Sequence, residues 1–92
     1  MKLKTKEIKI KLKELDGWES KYNSIVKTFE FKDFVKSIDF VNKITPLAEE
    51  MQHHPDIEIK YNTIGITLST HDADGVTEKD FKLAEKIDNL IK

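Results

Sequence analysis

The sequence predicts an α+β fold, a four-stranded antiparallel sheet with three helices packed on one face, in the order α-β-β-α-β-β-α. Three observations predict it. Apolar residues recur at helical spacing from Phe34 to Met51, the period changes to two from Asp56 to about Ser69, and helical spacing returns after Thr77. With 92 residues, 38% hydrophobic and 36% charged, the chain suits one domain over residues 1–92, with a thin core that oligomerisation would help to bury.

Residues 1–16 fit two patterns, since Ile8, Ile10 and Leu12 alternate with lysines while Ile8, Leu12 and Leu15 have helical spacing. Helix is preferred, because Thr5 can cap it, Glu7 falls in its first turn and Gly17 can supply a left-handed exit. Trp18 to about Ser20 and Ile25 to Phe31 read as strands joined by the turn Lys21-Tyr22-Asn23-Ser24, with Ile25, Phe29 and Phe31 on one face. Lys27 breaks that face and is expected to lay its stem along the sheet's edge with its ammonium in water.

Asp33 is the expected N-cap of the main helix, whose stripe Phe34, Ile38, Val41, Ile44, Ala48 and Met51 is widened by Phe40 and Leu47. Pro46 should kink this helix or begin its second half, and Pro55 should end it. Beyond it, Ile57, Ile59 and Tyr61 are expected on one side of a strand, with a turn near Asn62. The return strand should carry Ile64, Ile66 and Leu68 inward and deliver Thr70, His71 and Asp72 beside the start of the hairpin. After the loop Asp72–Gly75, Thr77 and Asp80 form a capping box for a last helix buried along Phe81, Ala84, Ile87 and Ile91.

Composition narrows the function classes. Sixteen basic and 17 acidic residues leave a formal net charge of −1, so no global field favours nucleic acid or an acidic membrane, and the lysines from Lys2 to Lys13 read as a solvated helix face. The lack of cysteine excludes disulfides, thiolate catalysis and Cys-based metal sites. No apolar run has membrane-spanning length and the Lys-rich start lacks a signal peptide's apolar core, so a cytoplasmic location is expected.

The chemistry concentrates on the histidines. His53 and His54 stand before Pro55 at the end of the main helix, and the hairpin returns His71 toward them. An imidazole, with an unperturbed pKa of roughly 6.5, can both donate and accept protons near neutrality, so three in one place point to proton transfer. Glu49, one helical turn before His53, is expected to hold that imidazole. A zinc site from the three histidines and Asp72 is the rival reading, and helix capping is the bland one. Adjacent histidines converge poorly on one ion, however, and their spacing matches neither the HExxH helix nor a zinc finger.

Glu49-x-x-x-His53-His54-Pro55, then Tyr61 after five residues, His71 after nine more, and Asp80 together resemble the signature of the pterin-4a-carbinolamine dehydratases. Gly17-Trp18, Phe29-x-Phe31-x-Asp33-Phe34, Leu68-Ser69-Thr70-His71-Asp72 and Gly75-x-Thr77-Glu78-x-Asp80 extend the resemblance over nearly the whole chain. The resemblance implies dehydration of 4a-hydroxytetrahydropterin to quinonoid dihydropterin, without a metal or prosthetic group, in recycling of the pterin cofactor. It also implies a catalytic set of His53, His54 and His71, in which His53 and His71 supply acid and base and His54 orients the substrate. Gln52, Pro55, Ser69, Thr70 and Asp72 complete the implied pterin-binding set, with Glu49 and Asp80 in support. Gln52 departs from animal relatives, where this position is often acidic. Family members assemble as dimers or tetramers, and some animal relatives act as dimerisation cofactors of a homeodomain protein. Nothing in this sequence supports that second role, but a non-catalytic pterin-binding or dimerisation module on the same fold is the alternative.

Overall fold

The computed structural model describes residues 1–92. Its elements are α1 (Thr5–Leu12), β1 (Glu19–Lys21), β2 (Ser24–Glu30), α2 (Phe34–Met51), β3 (Asp56–Lys60), β4 (Thr63–Leu68), a 3-10 turn (His71–Ala73) and α3 (Glu78–Asn89). The four strands form one antiparallel sheet in the order β1-β2-β4-β3. The predicted α+β architecture is therefore present. Its two hairpins join through β2 and β4, which makes those strands the interior pair.

Strand alternation places the core. Ile25 pairs with Leu68 and Phe29 with Ile64, and all four are buried with Ile66 against Phe40 and Ile44 of α2 and Phe81, Leu83, Ala84 and Ile87 of α3. Full burial of one such side chain contributes on the order of 1.5–3 kcal/mol, so this sheet-to-helix layer dominates stability. The opposite face presents Val26, Thr28 and Glu30 of β2 beside Thr67, Gly65 and Thr63 of β4.

Lys27 departs from expectation. Its strand is interior, so the side chain cannot escape over an edge and is only 14% exposed. Its ammonium donates to the Asp16 carbonyl at 2.6 Å and to Asp88 at 3.0 Å, while both oxygens of Asp88 also accept from the Trp18 indole. The charge is thus satisfied inside the protein by an acid from α3, a partner 61 residues away that local pattern cannot reveal.

The first helix is shorter than expected, and its N-cap is Lys4 rather than Thr5. The Glu7 carboxylate accepts the Lys4 N–H at 3.0 Å, which holds the helix start. Gly17 adopts the left-handed conformation (φ 85°), and Lys27 lies so close that a β-carbon there would meet its Cε at 3.1 Å. The first hairpin turn is tighter than expected and the second falls at Asn62 as predicted; Tyr22 and Tyr61 each open a two-residue turn with positive φ, so Tyr61 is exposed instead of lying with Ile57 and Ile59. Ile59 itself is 44% exposed on the edge strand β3.

Asp33 caps α2 as expected, accepting from the Lys36 N–H at 2.9 Å. The helix runs unbroken through Pro46. Its buried stripe is Ser37, Phe40, Ile44 and Ala48, leaving Phe34 and Val35 largely exposed. The predicted stripe advances by slightly less than 3.6 residues per turn and so drifts around the cylinder, which takes its first member off the core.

Candidate functional site

The site is built where α2 stops. Gln52 takes a left-handed conformation (φ 50°, ψ 42°), ends the helix one residue after Met51, and sends its side-chain amide back to the Glu49 carbonyl at 2.7 Å. Its side chain therefore serves the helix end. The histidines that follow are outside the helix, in the segment that leads into β3. Their side chains part company: His53 is buried at 8% exposure, whereas the His54 side chain is 58% exposed.

His53 does not pair with Glu49. Its Nε2 lies 2.5 Å from Oδ1 of Asp80, which is fully buried at the start of α3, while Glu49 pairs with Nε2 of His54 at 2.5 Å. The helix ends too soon for Glu49 and His53 to remain stacked one turn apart, because the left-handed residue between them turns His53 inward.

Asp80 is held on every side. Its Oδ2 accepts from the Thr77 N–H at 2.9 Å and from the Thr70 hydroxyl at 2.9 Å. A carboxylate with these donors on one oxygen and an imidazole on the other acts as acceptor throughout, which assigns the proton of neutral His53 to Nε2. Nδ1 then carries the lone pair. No fully buried side-chain nitrogen or oxygen lacks a partner, so Nδ1, which bonds to no protein group, is not completely enclosed.

His71 is carried on a separate turn. It begins the 3-10 turn after β4, and the turn is closed by Thr70 N–H to the Gly75 carbonyl at 2.8 Å and by Asp74 N–H to the His71 carbonyl at 3.0 Å. His71 and Asp72 are exposed, and Ser69 and Pro55 are half-buried. Thr70, expected to touch substrate, turns its hydroxyl to Asp80 and Thr77. The structure thus links His53, Asp80, Thr70 and the His71 turn in one network, and places His54 with Glu49 in a separate exposed pair.

Thr77 is the residue of this network that the sequence reading treats only as a cap. The signal was present in the capping-box spacing from Thr77 to Asp80, which is observed, but spacing alone does not say that the box is buried around an imidazole. No group of three or more His, Asp or Glu side chains is arranged to hold a metal ion. A cavity of about 610 Å³ lies away from the histidines, with walls that include Lys11, Lys27, Glu78 and Asp88. Those four answer one another in ion pairs, Lys11 to Glu78 at 2.8 Å and Lys27 to Asp88 at 3.0 Å. A smaller hollow of about 160 Å³ includes His54, Glu49 and Pro55 in its lining. No helix is long and apolar enough to cross a membrane.

Comparisons with known proteins place the chain among relatives. A chain from Sulfolobus acidocaldarius, named "Putative pterin-4-alpha-carbinolamine dehydratase", is 52% identical over 90 residues, covering 98% of this chain and 99% of that one. One of the same name from Picosynechococcus is 49% identical over 84 residues, covering 91% of each. Among solved structures, a protein from Brucella melitensis described as a transcriptional coactivator/pterin dehydratase superposes with a TM-score of 0.94 at 36% identity, over 97% of both chains. A pterin dehydratase-like protein described as a RuBisCO assembly factor in the α-carboxysome shares the fold, with a TM-score of 0.65 at 24% identity over 79% of this chain and 84% of that one. The profile of the pterin 4 alpha carbinolamine dehydratases matches residues 1–90, and the chain belongs to that family.

Proposed function

We propose that the protein dehydrates 4a-hydroxytetrahydropterin to quinonoid dihydropterin, with His53 and His71 as the acid and base groups and His54 orienting the pterin. The observation that carries this reading is the buried His53–Asp80 pair, whose second ring nitrogen bonds to no protein group and is the kind of nitrogen that proton transfer requires. In the reaction the C4a–O bond breaks and its electron pair leaves with oxygen, which an acid protonates to water. The ring-nitrogen lone pair forms the new C=N bond as a base takes the nitrogen's proton. Atoms and electrons balance without an external oxidant, reductant or metal. Asp80 keeps the imidazole oriented and offsets its charge when the ring holds a second proton.

Ser69, Asp72 and Pro55 supply the remaining pterin contacts in this proposal. The enzyme works as a cytoplasmic homodimer or homotetramer within one domain, recycling the pterin cofactor. Exposed Phe34 and Val35 on α2, and Ile59 and Tyr61 at the edge strand, support self-association as a way to cover apolar surface. Glu19, Glu30, Asp56 and Glu58 outnumber Lys21 and Lys60 on the open sheet face, which disfavours a nucleic-acid phosphate there.

The test is turnover of chemically generated 4a-hydroxytetrahydropterin by the wild type, His53→Ala and His71→Ala. Each substitution is expected to lower kcat by about 10²–10⁴-fold, the usual contribution of a general acid or base. Unchanged rates in both variants would overturn the site. Pterin binding by calorimetry without turnover would favour the non-catalytic module instead.

A further inference from the structure

We propose that Thr70 is a positioning residue that couples the two histidines of the site, acting through Asp80 rather than by touching the pterin. The inference rests on the dehydratase reading for its kinetic arm, while its structural arm stands on the hydrogen bonds alone.

Proton counting gives the direction of the relay. The Thr70 hydroxyl has one proton, and Asp80 Oδ2 at 2.9 Å takes it. The contact of 2.8 Å to the Thr77 hydroxyl must then be donated by Thr77, whose oxygen in turn accepts the Lys79 N–H at 3.2 Å. The main chain of Thr70 is equally committed, with its N–H on Gly75 at 2.8 Å and its carbonyl accepting from Ala73 at 3.0 Å. Little of Thr70 remains to offer a ligand.

The consequence is mechanical. Asp80 gives Oδ1 to His53 and Oδ2 to Thr70 and Thr77, and a planar carboxylate cannot turn toward one set without leaving the other. Thr70 is also the residue peptide-bonded to His71, at the mouth of the turn that carries it. The segment Thr70–Gly75 is backed by the N-terminus, where the Leu3 N–H donates to the Val76 carbonyl at 2.7 Å. A β-carbon on Gly75 would meet the Lys2 stem at 2.9 Å. One hydroxyl therefore sets both the orientation of the His53 ring and the seat of the His71 turn.

The experiment compares Thr70→Val, which keeps the shape, and Thr70→Ser, which keeps the hydroxyl, by steady-state kinetics and by ¹⁵N-resolved NMR of the histidine rings. Thr70→Val is expected to lower kcat by about tenfold to a hundredfold, the range for losing one hydrogen bond to a charged group, with KM within about twofold. Thr70→Ser should restore kcat to within about threefold of wild type. The Nε2–H of His53 should exchange faster in Thr70→Val, with the His71 ring signals shifted and those of His54 unmoved. A raised KM at unchanged kcat would overturn the proposal and make Thr70 a substrate contact. Ring signals of His53 and His71 identical to wild type would overturn it too, whether or not the protein turns over pterin. Should Thr70→Val fail to fold, Thr70→Ala takes its place in both measurements, and loss of the fold in both would overturn the proposal by making the residue purely structural.

Discussion

Two carboxylate–imidazole pairs stand side by side in this protein, on consecutive histidines and with the same 2.5 Å separation, yet they belong to different physical regimes. His54 and Glu49 meet in solvent, with side chains 58% and 63% exposed. Water and salt screen such a pair, and its worth is about 0–1 kcal/mol. His53 and Asp80 meet at 9% and 0% exposure. There the cost of removing charge from water is large and is offset only because Thr70 and the Thr77 N–H also donate to the carboxylate. Distance alone does not distinguish the pairs; burial and the surrounding donors do.

The comparison breaks most visibly at Asp80. Asp80→Ala should lose about 3–5 kcal/mol of stability in urea denaturation, since it strands His53 and two donors in the interior. Glu49→Ala should lose under about 1 kcal/mol. Similar losses in the two variants would show that the buried network does not carry the site. A sharper version avoids the cavity: Asp80→Asn keeps the shape but no longer accepts on both atoms, and kcat should fall by about 10²-fold or more, whereas Glu49→Gln should stay within a few-fold.

A smaller effect separates the pairs by screening. Raising NaCl from about 0.05 to about 1 M shortens the Debye length from over 10 Å to roughly 3 Å, which should erase the stability difference between wild type and Glu49→Ala while leaving that of Asp80→Ala nearly intact. The smallest effect is expected at Lys11, another partly exposed pair. Its hydrogen bond to Glu78 raises the lysine pKa above 10.5, opposed by partial desolvation and helped by the charges of Glu78, Glu14 and Glu7. A raised folded-state value means that the contribution is fully present below 10.5 and disappears as pH climbs through the folded pKa. Lys11→Met should therefore melt slightly lower than wild type at neutral pH, and the gap should close in strongly alkaline buffer; a gap that persists there would assign it to packing near Phe81, whose ring centre lies 6.0 Å from the Lys11 nitrogen.

Much of the fold was legible because its signals are local. Asp33, the Thr77–Asp80 box and Gly17 announced their turns through backbone chemistry, and Ile64, Ile66 and Leu68 alternated as a half-buried strand must. The errors have a common physical origin. Tyr61 and Tyr22 occupy left-handed turn positions that bulky residues rarely take, and Lys27 points into the protein because β2 is an interior strand. None of these follows from a residue's immediate neighbours.

The site divides in the same way. The sequence by itself determined that the three imidazoles lie at the end of a helix and the end of a hairpin, and that Asp80 opens a helix through a capping box, because such features depend on residues within one turn of each other. Only the tertiary structure decided the partners. Asp80 reaches His53 across 27 residues, and Thr70 reaches Asp80 across 10, through a core whose packing brings α3 against the end of α2. The left-handed Gln52 then chooses which histidine turns inward to that carboxylate and which stays outside with Glu49. Hydrogen bonds are short-ranged and directional, so their partners are settled by where packing leaves the backbone and not by the spacing of letters along the chain.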